Sequence, residues 1–432
     1  MNARERSLKA LYAIEEKGAY ANQALSGALG EGLENPADRA LVTELVWGVL
    51  QNRTALDYII ARFSKIKLKK LSPWMKQILR LGVYQLYYMD RIPDSAACNE
   101  SVKLAKRYGH AAASGFVNGV LRSAARGRTT VRFPDRSDLL RHLATVYSYP
   151  DWMVSRLLAE YGGEECEGIL RAGNSPHDPT VRVNLMRSTP QQLIETLAQE
   201  GMAAEADAEL PCCLYIRGAL QVHRSAAYAA GLYTLQNRSS MLAAELLAPQ
   251  PGDFVLDVCA APGGKTTHIA EKMQNRGRVL AFDIHPHKIT LIEAAAKRLG
   301  LSCITAQCQD AAQLRPELAE KADRVLADVP CSGLGVINKK PDIKWTRTEA
   351  DITALAPVQA EILQTAAQYV RPGGVLVYST CTILKQENQD QVAAFLSRNP
   401  AFHQVEEKLL LPHRTSGSGF YLCKLQKREN AI

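Results

Sequence analysis

Hydrophobic positions in the first third of the chain recur at the spacing of α-helices. Four segments, 3–27, 36–63, 72–90 and 94–125, carry apolar side chains every third or fourth residue, as at Leu8, Leu11, Tyr12 and Ile14. Glycine and proline fall mostly between these segments, where helices end. The pattern predicts an all-helical domain over residues 1–145.

A mixed pattern follows over residues 146–237. One or two further helices are predicted over 150–172, and a helix over 190–200 lies between strand-like runs at 180–186 and 213–217. We interpret this part as a small α+β subdomain that links the two larger parts of the chain.

Residues 238–432 alternate between apolar strand-like runs and amphipathic helices. Strands are predicted at 254–259, 278–283, 303–308, 324–329, 374–380 and 420–426, with helices at 264–275, 286–299, 351–370 and 385–398. Buried strands that alternate with helices indicate a parallel, doubly wound α/β sheet. Sites in such sheets lie beyond the carboxyl ends of the strands.

Composition narrows the class of protein. Of 432 residues, 47% are hydrophobic and 22% are charged, which is typical of a globular protein. The chain has no apolar run of about 18 residues, so we expect no membrane-spanning helix. The ten cysteines form no C-x-x-C pair, and His268, His285 and His287 match no metal motif. We therefore expect a cytoplasmic protein with reduced thiols and no bound metal.

Positive charge is concentrated near the amino terminus. Residues 1–145 carry 23 Lys and Arg against 13 Asp and Glu, and no acid lies between Asp57 and Asp90. The cations of this acid-free stretch are Arg62, Lys65, Lys67, Lys69, Lys70, Lys76 and Arg80. Such a surface suits the phosphates of a nucleic acid, although a basic face that only maintains solubility is the alternative.

The first candidate site is the turn that follows the strand at 254–259. Cys259-Ala-Ala-Pro-Gly-Gly-Lys265 leads from a strand into a helix, which brings backbone N–H groups close to a ligand. A phosphate-binding P-loop would need glycine where Cys259 stands, so that interpretation fails. Asp283 and Asp310 follow the next two strands. Either acid alone is more often a helix cap, but together with the turn they fit a nucleoside that carries no phosphate.

Two cysteines follow the next pair of strands. Asp328-Val-Pro-Cys331 ends one strand and Thr380-Cys381 ends its neighbour. A lone cysteine is usually a buried structural residue. Two at one sheet edge, with an acid three residues before the first, favour thiolate chemistry.

The turn at 259–265, the two acids, the Asp328–Cys331 segment and the Thr380–Cys381 segment are four features that, in this order, resemble the RNA cytosine-5 methyltransferases. Over nearly its whole length the chain resembles the bacterial Sun/Fmu-type enzymes that act on small-subunit (16S) ribosomal RNA, and its helical region resembles the NusB-type RNA-binding bundle. The resemblance implies an all-α NusB-like domain, a small α+β linker and a Rossmann-like, S-adenosylmethionine-dependent methyltransferase domain. Two positions depart from the family pattern: Val329 replaces the usual alanine, and Asn237 replaces an aspartate.

The resemblance also implies roles for individual residues. Cys381 would be the nucleophile and Cys331 would assist product release. Asp328 would bind the cytosine edge beside the cofactor, with Lys265 orienting it. Asp283 would contact the cofactor ribose and Asp310 its adenine. The remaining cofactor residues would be those of the turn: Cys259, Ala260, Ala261, Pro262, Gly263, Gly264 and Lys265.

The implied function is methylation of C5 of a cytosine in 16S ribosomal RNA, either free or in a small-subunit assembly intermediate. We expect a monomer that binds neither a membrane nor a metal. The alternatives are a catalytically inactive RNA-binding assembly factor, an enzyme for another RNA, and a DNA enzyme with Cys331 as its nucleophile.

Overall fold

The computed structural model describes residues 1–109, 111–218, 222–415 and 418–429. The chain forms two compact units. One comprises residues 1–174 and 337–348, and the other comprises 175–336 and 349–432. In the part of the chain that is described, no helix is long and apolar enough to cross a membrane.

The first unit is helical, as the sequence predicts. Its helices are Ala3–Lys17, Ala21–Ala28, Pro36–Gln51, Arg53–Phe63, Pro73–Tyr88, Asp94–Tyr108, Ala111–Arg126, Leu139–Val146, Asp151–Asn174 and the short Ile343–Thr346. Three of the predicted segments are each broken into two helices. The first break is at Gly18, whose left-handed φ of 64° ends a helix by donating its N–H to Ala13 O.

The segment 337–348 belongs to the helical unit although it lies far along the sequence. The Lys344 side chain is completely buried, and its Nζ donates to Gln51 O and Ser148 O, each at 3.1 Å, and to Asn174 Oδ1 at 2.5 Å. Burial lowers the pKa of Lys344 well below its ordinary value. Three oxygen acceptors therefore satisfy a side chain that is rarely buried at all.

The second unit begins with a small antiparallel sheet. Its strands are β1 (Thr180–Val183), β2 (Ala203–Ala206), β3 (Cys213–Arg217) and β4 (Tyr233–Leu235), in the order β2-β3-β1-β4. Helices Pro190–Gln199 and Ala226–Ala229 accompany it. The sequence predicts β1 and β3, but it misses β2 and β4, which have four and three residues.

The main sheet of the second unit has seven strands in the order β10-β11-β9-β8-β5-β6-β7. Its strands are β5 (Phe254–Asp257), β6 (Arg278–Asp283), β7 (Ile304–Cys308), β8 (Ala322–Asp328), β9 (Val370–Thr380), β10 (Phe402–Leu410) and β11 (Phe420–Lys427). Its helices are Arg238–Leu247, Gly264–Lys272, Pro286–Leu299, Glu349–Tyr369 and Gln389–Arg398.

The prediction of a wholly parallel sheet is wrong for β11, and the sequence pattern misses β10. Strands β5 to β9 are parallel, but β11 runs antiparallel to both β9 and β10. The edge strand β10 is mostly exposed, so it lacks the apolar run by which a buried strand is recognised. Because β10 and β11 form a hairpin, β11 enters the sheet in the opposite direction.

The five parallel strands bring the candidate residues to one edge of the sheet. Strand β5 ends at Asp257, β6 at Asp283 and β8 at Asp328, and β9 ends directly before Cys381. Loops that follow parallel strands lie on the same side, so residues far apart in the sequence meet there.

Candidate active site

The turn after β5 is built for close approach of backbone to backbone. Gly263 has a φ of 99°, and a Cβ at this position would lie 3.2 Å from Ile292 Cα, so any other residue would strain the turn. Ala260 N–H donates to Phe282 O at 2.7 Å, which binds the turn to β6. Gly263 then caps helix Gly264–Lys272, whose amino terminus presents N–H groups toward the sheet edge.

Asp257 stabilises this turn through a hydrogen bond from the helix that follows it. The sequence analysis does not predict this role. Its Oδ2 accepts from Thr266 Oγ1 at 2.7 Å, which joins the end of β5 to the first turn of the helix. Burial raises the pKa of Asp257 to about 7. The residue belongs to an apolar strand, and only its position at the strand end could have indicated it.

Asp283 and Asp310 lie in adjacent loops of the same edge. Asp283 is buried, and its Oδ1 accepts from His285 N–H at 3.0 Å. Asp310 is half-buried and accepts from Ala312 N–H, also at 3.0 Å. Gln309 N–H donates to Asp283 O at 3.0 Å and joins the two loops. Both acids therefore stabilise local turns that follow the ends of β6 and β7, and their role toward a ligand stays a prediction.

Lys265, Asp328 and Ser379 form a polar row across the ends of β8 and β9. Lys265 Nζ lies 2.6 Å from Asp328 Oδ2, and Ser379 Oγ donates to Asp328 Oδ1 at 2.7 Å. Burial lowers the pKa of Lys265, but the Asp328 carboxylate outweighs it and holds that pKa above its ordinary value. The ammonium consequently stays charged and fixes the carboxylate in one orientation.

The two cysteines meet at the mouths of β8 and β9. Cys331 Sγ lies 3.2 Å from Cys381 Sγ and accepts from Cys381 N–H at 3.3 Å. The hydrogen bond to Cys381 and burial raise the pKa of the Cys331 thiol well above its usual value. Neither cysteine is an isolated core residue, since each lies against the other and beside the Lys265–Asp328 pair.

Comparison with known proteins assigns the chain to a family. A family model described as 16S rRNA methyltransferase RsmB/F matches residues 244–426. A protein of Bacillus subtilis named "Probable ribosomal RNA small subunit methyltransferase B" is 40% identical over 99% of both chains. The chain belongs to the RsmB/F family of 16S rRNA methyltransferases. The resemblance inferred from the four segments is confirmed at this level.

Further comparisons extend the family assignment over the other domains. A NusB family model matches residues 1–126, and the ferredoxin-like domain of RsmF/B-like methyltransferases matches 149–223. Ribosomal RNA small subunit methyltransferase B of Proteus mirabilis is 34% identical over 99% of both chains. The solved structure of PH0851 superposes with a TM-score of 0.83 over 98% of both chains at 27% identity. The predicted fold class, with NusB-like, α+β and Rossmann-like parts, is thus confirmed.

Arg182 supports the turn after β5 from the small antiparallel sheet. This fully buried guanidinium, on β1, donates to Gly264 O at 2.7 Å and to Gln236 Oε1. It also pairs with Glu271, its Nη2 lying 2.8 Å from Oε1, and donates to Thr267 Oγ1 at 3.0 Å. The ferredoxin-like sheet therefore stabilises the start of the helix that follows the turn. The sequence signal that could have indicated this role of Arg182 was an arginine inside the apolar run of β1.

A separate cluster in this unit carries donors that a metal ion could use. The donor atoms of Cys212, Glu245 and His268 all lie within 4.8 Å of one another. Lys272 Nζ lies 2.6 Å from Glu245 Oε2 and compensates this carboxylate. Burial lowers the pKa of His268 to about 4, so the imidazole is neutral near pH 7. Ion pairing and burial account for the cluster, and the expectation that the chain binds no metal stays a prediction.

The predicted RNA-binding cations of the NusB-like region divide into two groups. Arg62, Lys65, Lys67, Lys69 and Lys70 are exposed on one short segment, and Lys76 is half-buried. The segment contains a single 3₁₀ turn, Leu68–Lys70, between two helices. We call its five exposed cations the basic patch, and the binding of phosphates there stays a prediction.

Arg80 does not belong to this patch, and the prediction that its charge is unopposed is wrong. Its side chain is only 3% exposed, and its Nε lies 2.6 Å from Asp57 Oδ1 while Nη1 lies 2.5 Å from Glu15 Oε2. Asp57 lies at the border of the acid-free stretch, and Glu15 comes from the first helix. Because Arg80 is buried and paired with two carboxylates, it is unavailable to RNA phosphates.

Proposed function

We propose that this RsmB/F protein methylates C5 of a cytosine in 16S ribosomal RNA, with S-adenosylmethionine as methyl donor and Cys381 as nucleophile. The observation that carries the proposal is the 3.2 Å contact between Cys331 and Cys381 at the mouths of adjacent strands. The Lys265–Asp328 pair lies at the same edge. A nucleophile, a second thiol and an oriented carboxylate are the groups that this reaction requires.

The residues after β5, β6 and β7 fit S-adenosylmethionine. The turn up to Lys265 would lie against the cofactor through its backbone N–H groups, Asp283 would accept from ribose hydroxyls, and Asp310 would accept from the adenine amino group. S-adenosylmethionine supplies an electrophilic methyl group. The strand ends would hold it beside the two cysteines.

Addition of Cys381 makes the cytosine reactive. C5 of cytosine is a weak nucleophile. When the Cys381 sulfur gives up its proton to water and bonds to C6, the C5–C6 π bond breaks and its electron pair makes C5 an enamine carbon. C5 then takes the methyl group, the carbon–sulfur bond of the donor breaks, and S-adenosylhomocysteine leaves. The Asp328 carboxylate, oriented by Lys265 and Ser379, would bind the N4 amino edge of the base and stabilise the added state. The Lys265 ammonium would compensate the negative charge of Asp328 throughout the reaction.

Release of the product reverses the addition. Once C5 is methylated, a base removes its proton, the electron pair re-forms the C5–C6 double bond, and the Cys381 sulfur leaves C6. Cys331 or a water molecule would take that proton; the raised pKa of the Cys331 thiol keeps its thiolate form scarce but makes that thiolate the stronger base. Because a base in a duplex is out of reach of both thiols, the target cytosine must be unstacked, as in a loop or an assembly intermediate.

The test of the proposed reaction is identification of the methylated nucleoside. Unmodified 16S ribosomal RNA, both free and in small-subunit particles, would be incubated with protein and labelled S-adenosylmethionine and then digested to nucleosides. We expect label in 5-methylcytidine alone. Label in another methylated nucleoside, or methylation of DNA instead of RNA, would overturn the proposal.

Replacement of Asp283 by alanine tests the cofactor site. We expect the Kd for S-adenosylmethionine to rise about tenfold, because the ribose loses charge-assisted hydrogen bonds, while RNA affinity stays unchanged. Isothermal titration measures both constants. Glu293→Ala, an exposed acid on the following helix, serves as the control. Unchanged cofactor affinity in Asp283→Ala would contradict the ribose role.

Reversal of three charges tests the basic patch as an RNA interface. We expect Lys67→Glu, Lys69→Glu and Lys70→Glu together to weaken RNA binding and to lower the slope of log K against log salt by about 2 to 3, because fewer counterions are released. The control reverses three exposed lysines in the other unit: Lys297, Lys321 and Lys408. Equal effects of the two triple variants would show that only net charge matters and would refute the patch.

A further inference from the structure

Two adjacent buried residues, Glu387 and Asn388, lie between β9 and helix Gln389–Arg398. Both side chains are completely buried. The sequence pattern predicts a helix from 385 onward and assigns them no role. Their hydrogen bonds reach the loops that carry the two cysteines, one loop for each residue.

Glu387 binds the loop of Cys331. Ser332, the next residue, donates its N–H to Glu387 Oε1 at 2.8 Å and its hydroxyl to Oε2 at 2.5 Å. Gln359 Nε2 donates both to Glu387 Oε1 and to Pro330 O, each at 3.0 Å. The carboxylate therefore holds the residues on both sides of Cys331, one directly and one through Gln359.

Asn388 binds the loop of Cys381. Thr380, the preceding residue, donates its hydroxyl to Asn388 Oδ1 at 2.5 Å, and Asn388 Nδ2 donates to Thr382 O at 3.1 Å. The two loops also touch directly, since the hydroxyls of Ser332 and Thr382 lie 2.8 Å apart. Each cysteine is thus flanked by residues that one member of the pair holds.

We propose that Glu387 and Asn388 form a clamp that sets the distance between Cys331 and Cys381. The inference rests on the proposed function, because that reaction needs both thiols at one carbon–carbon bond of the base. A buried carboxylate is costly to desolvate, and a hydrophobic side chain of similar size would fill the same space. The three hydrogen bonds that the Glu387 carboxylate accepts all fix the Cys331 loop, so they set the position of this loop at the site. Both are positioning residues and touch no substrate.

The clamp can be tested by the rate at which the two thiols form a disulfide. Diamide oxidises two thiols to a disulfide and is itself reduced to a hydrazine, so the rate reports how often the two sulfurs meet. From 3.2 Å they must approach only to about 2.05 Å. We expect the Cys331–Cys381 disulfide to form rapidly in the wild-type chain. Mass spectrometry of its peptides measures this closure of the disulfide. We expect closure to be about tenfold slower in Glu387→Gln and in Asn388→Ala.

Glu387→Gln is nearly isosteric, but it removes the charge that strengthens the hydrogen bonds from Ser332 and Gln359, and its amide nitrogen finds an acceptor only if the Ser332 hydroxyl turns round. If this variant does not fold, Ser332→Ala removes the hydroxyl contacts to Glu387 and to Thr382 but keeps the backbone contact to Glu387, and it is expected to slow closure about threefold. Val392→Ala, a core truncation on the next helix, controls for general loss of stability and should close at the wild-type rate.

Methyl transfer provides the second measurement. We expect the clamp variants to lower kcat about tenfold or more while the Kd for S-adenosylmethionine and the KM for RNA stay unchanged. Wild-type disulfide rates in the clamp variants, or equal slowing in Val392→Ala, would overturn the clamp. If closure slows as expected but the wild-type protein forms no 5-methylcytidine, the clamp stands and the proposed reaction fails.

Discussion

Cys331→Ala is expected to leave the protein covalently joined to its RNA, whereas Cys381→Ala is expected to form no adduct and to lose methyl transfer by at least about 10³-fold. In the proposed reaction, the sulfur of Cys381 makes the bond to C6, and Cys331, 3.2 Å away, assists the proton removal that breaks this bond. Without Cys331 the bond forms and methylation proceeds, but release slows. A denaturing gel of protein incubated with labelled 16S ribosomal RNA and S-adenosylmethionine measures the adduct.

The double variant Cys331→Ala/Cys381→Ala is the control, and it should form no adduct. Cys423→Ala, a buried cysteine on β11, should behave like the wild-type protein. An adduct in Cys381→Ala that disappears in Cys331→Ala would reverse the two roles. That result would favour the arrangement in which the Pro-Cys thiol is the nucleophile.

Asp328→Asn is expected to lower kcat for methyl transfer by roughly 10²- to 10³-fold. The amide preserves the size of the side chain, but it removes the charge that Lys265 holds in place at 2.6 Å. Lys265→Met should act in the same direction, because it leaves the carboxylate without its counter-charge. Steady-state kinetics with saturating RNA measure kcat, and titration measures the Kd for S-adenosylmethionine.

The matched control is Ser379→Ala, which removes the other hydrogen bond to Asp328 without changing the charge. We expect this variant to lose about tenfold in kcat. A large rise in the Kd for S-adenosylmethionine, with kcat unchanged, would place Asp328 in the cofactor site and contradict its proposed role at the cytosine edge.

Local patterns were enough to predict most of the fold and the candidate residues of the sheet edge. The turn before Gly264 and the acids and cysteines at strand ends are visible because each follows an apolar strand within a few residues. Periodicity also predicts the helical first unit. It misses the exposed strand β10, whose polar surface hides the antiparallel hairpin.

Residues that act through distant partners could not be predicted in this way. Arg80 is part of a basic run in the sequence, but Glu15, 65 residues earlier, helps to neutralise it. Arg182 reaches Gly264 across 82 residues, and Glu387 reaches Ser332 across 55. The sequence around each gives no sign of its partner, because folding alone brings the two together.

The most direct test of the account is transfer of labelled methyl groups to unmodified 16S ribosomal RNA by the wild-type protein and Cys381→Ala side by side, followed by nucleoside analysis. We expect labelled 5-methylcytidine from the wild-type protein only, with equal RNA binding by both proteins. Equal labelling by Cys381→Ala would contradict Cys381 as nucleophile. RNA binding without label from either protein would contradict the reaction itself and favour an inactive assembly factor or another RNA substrate.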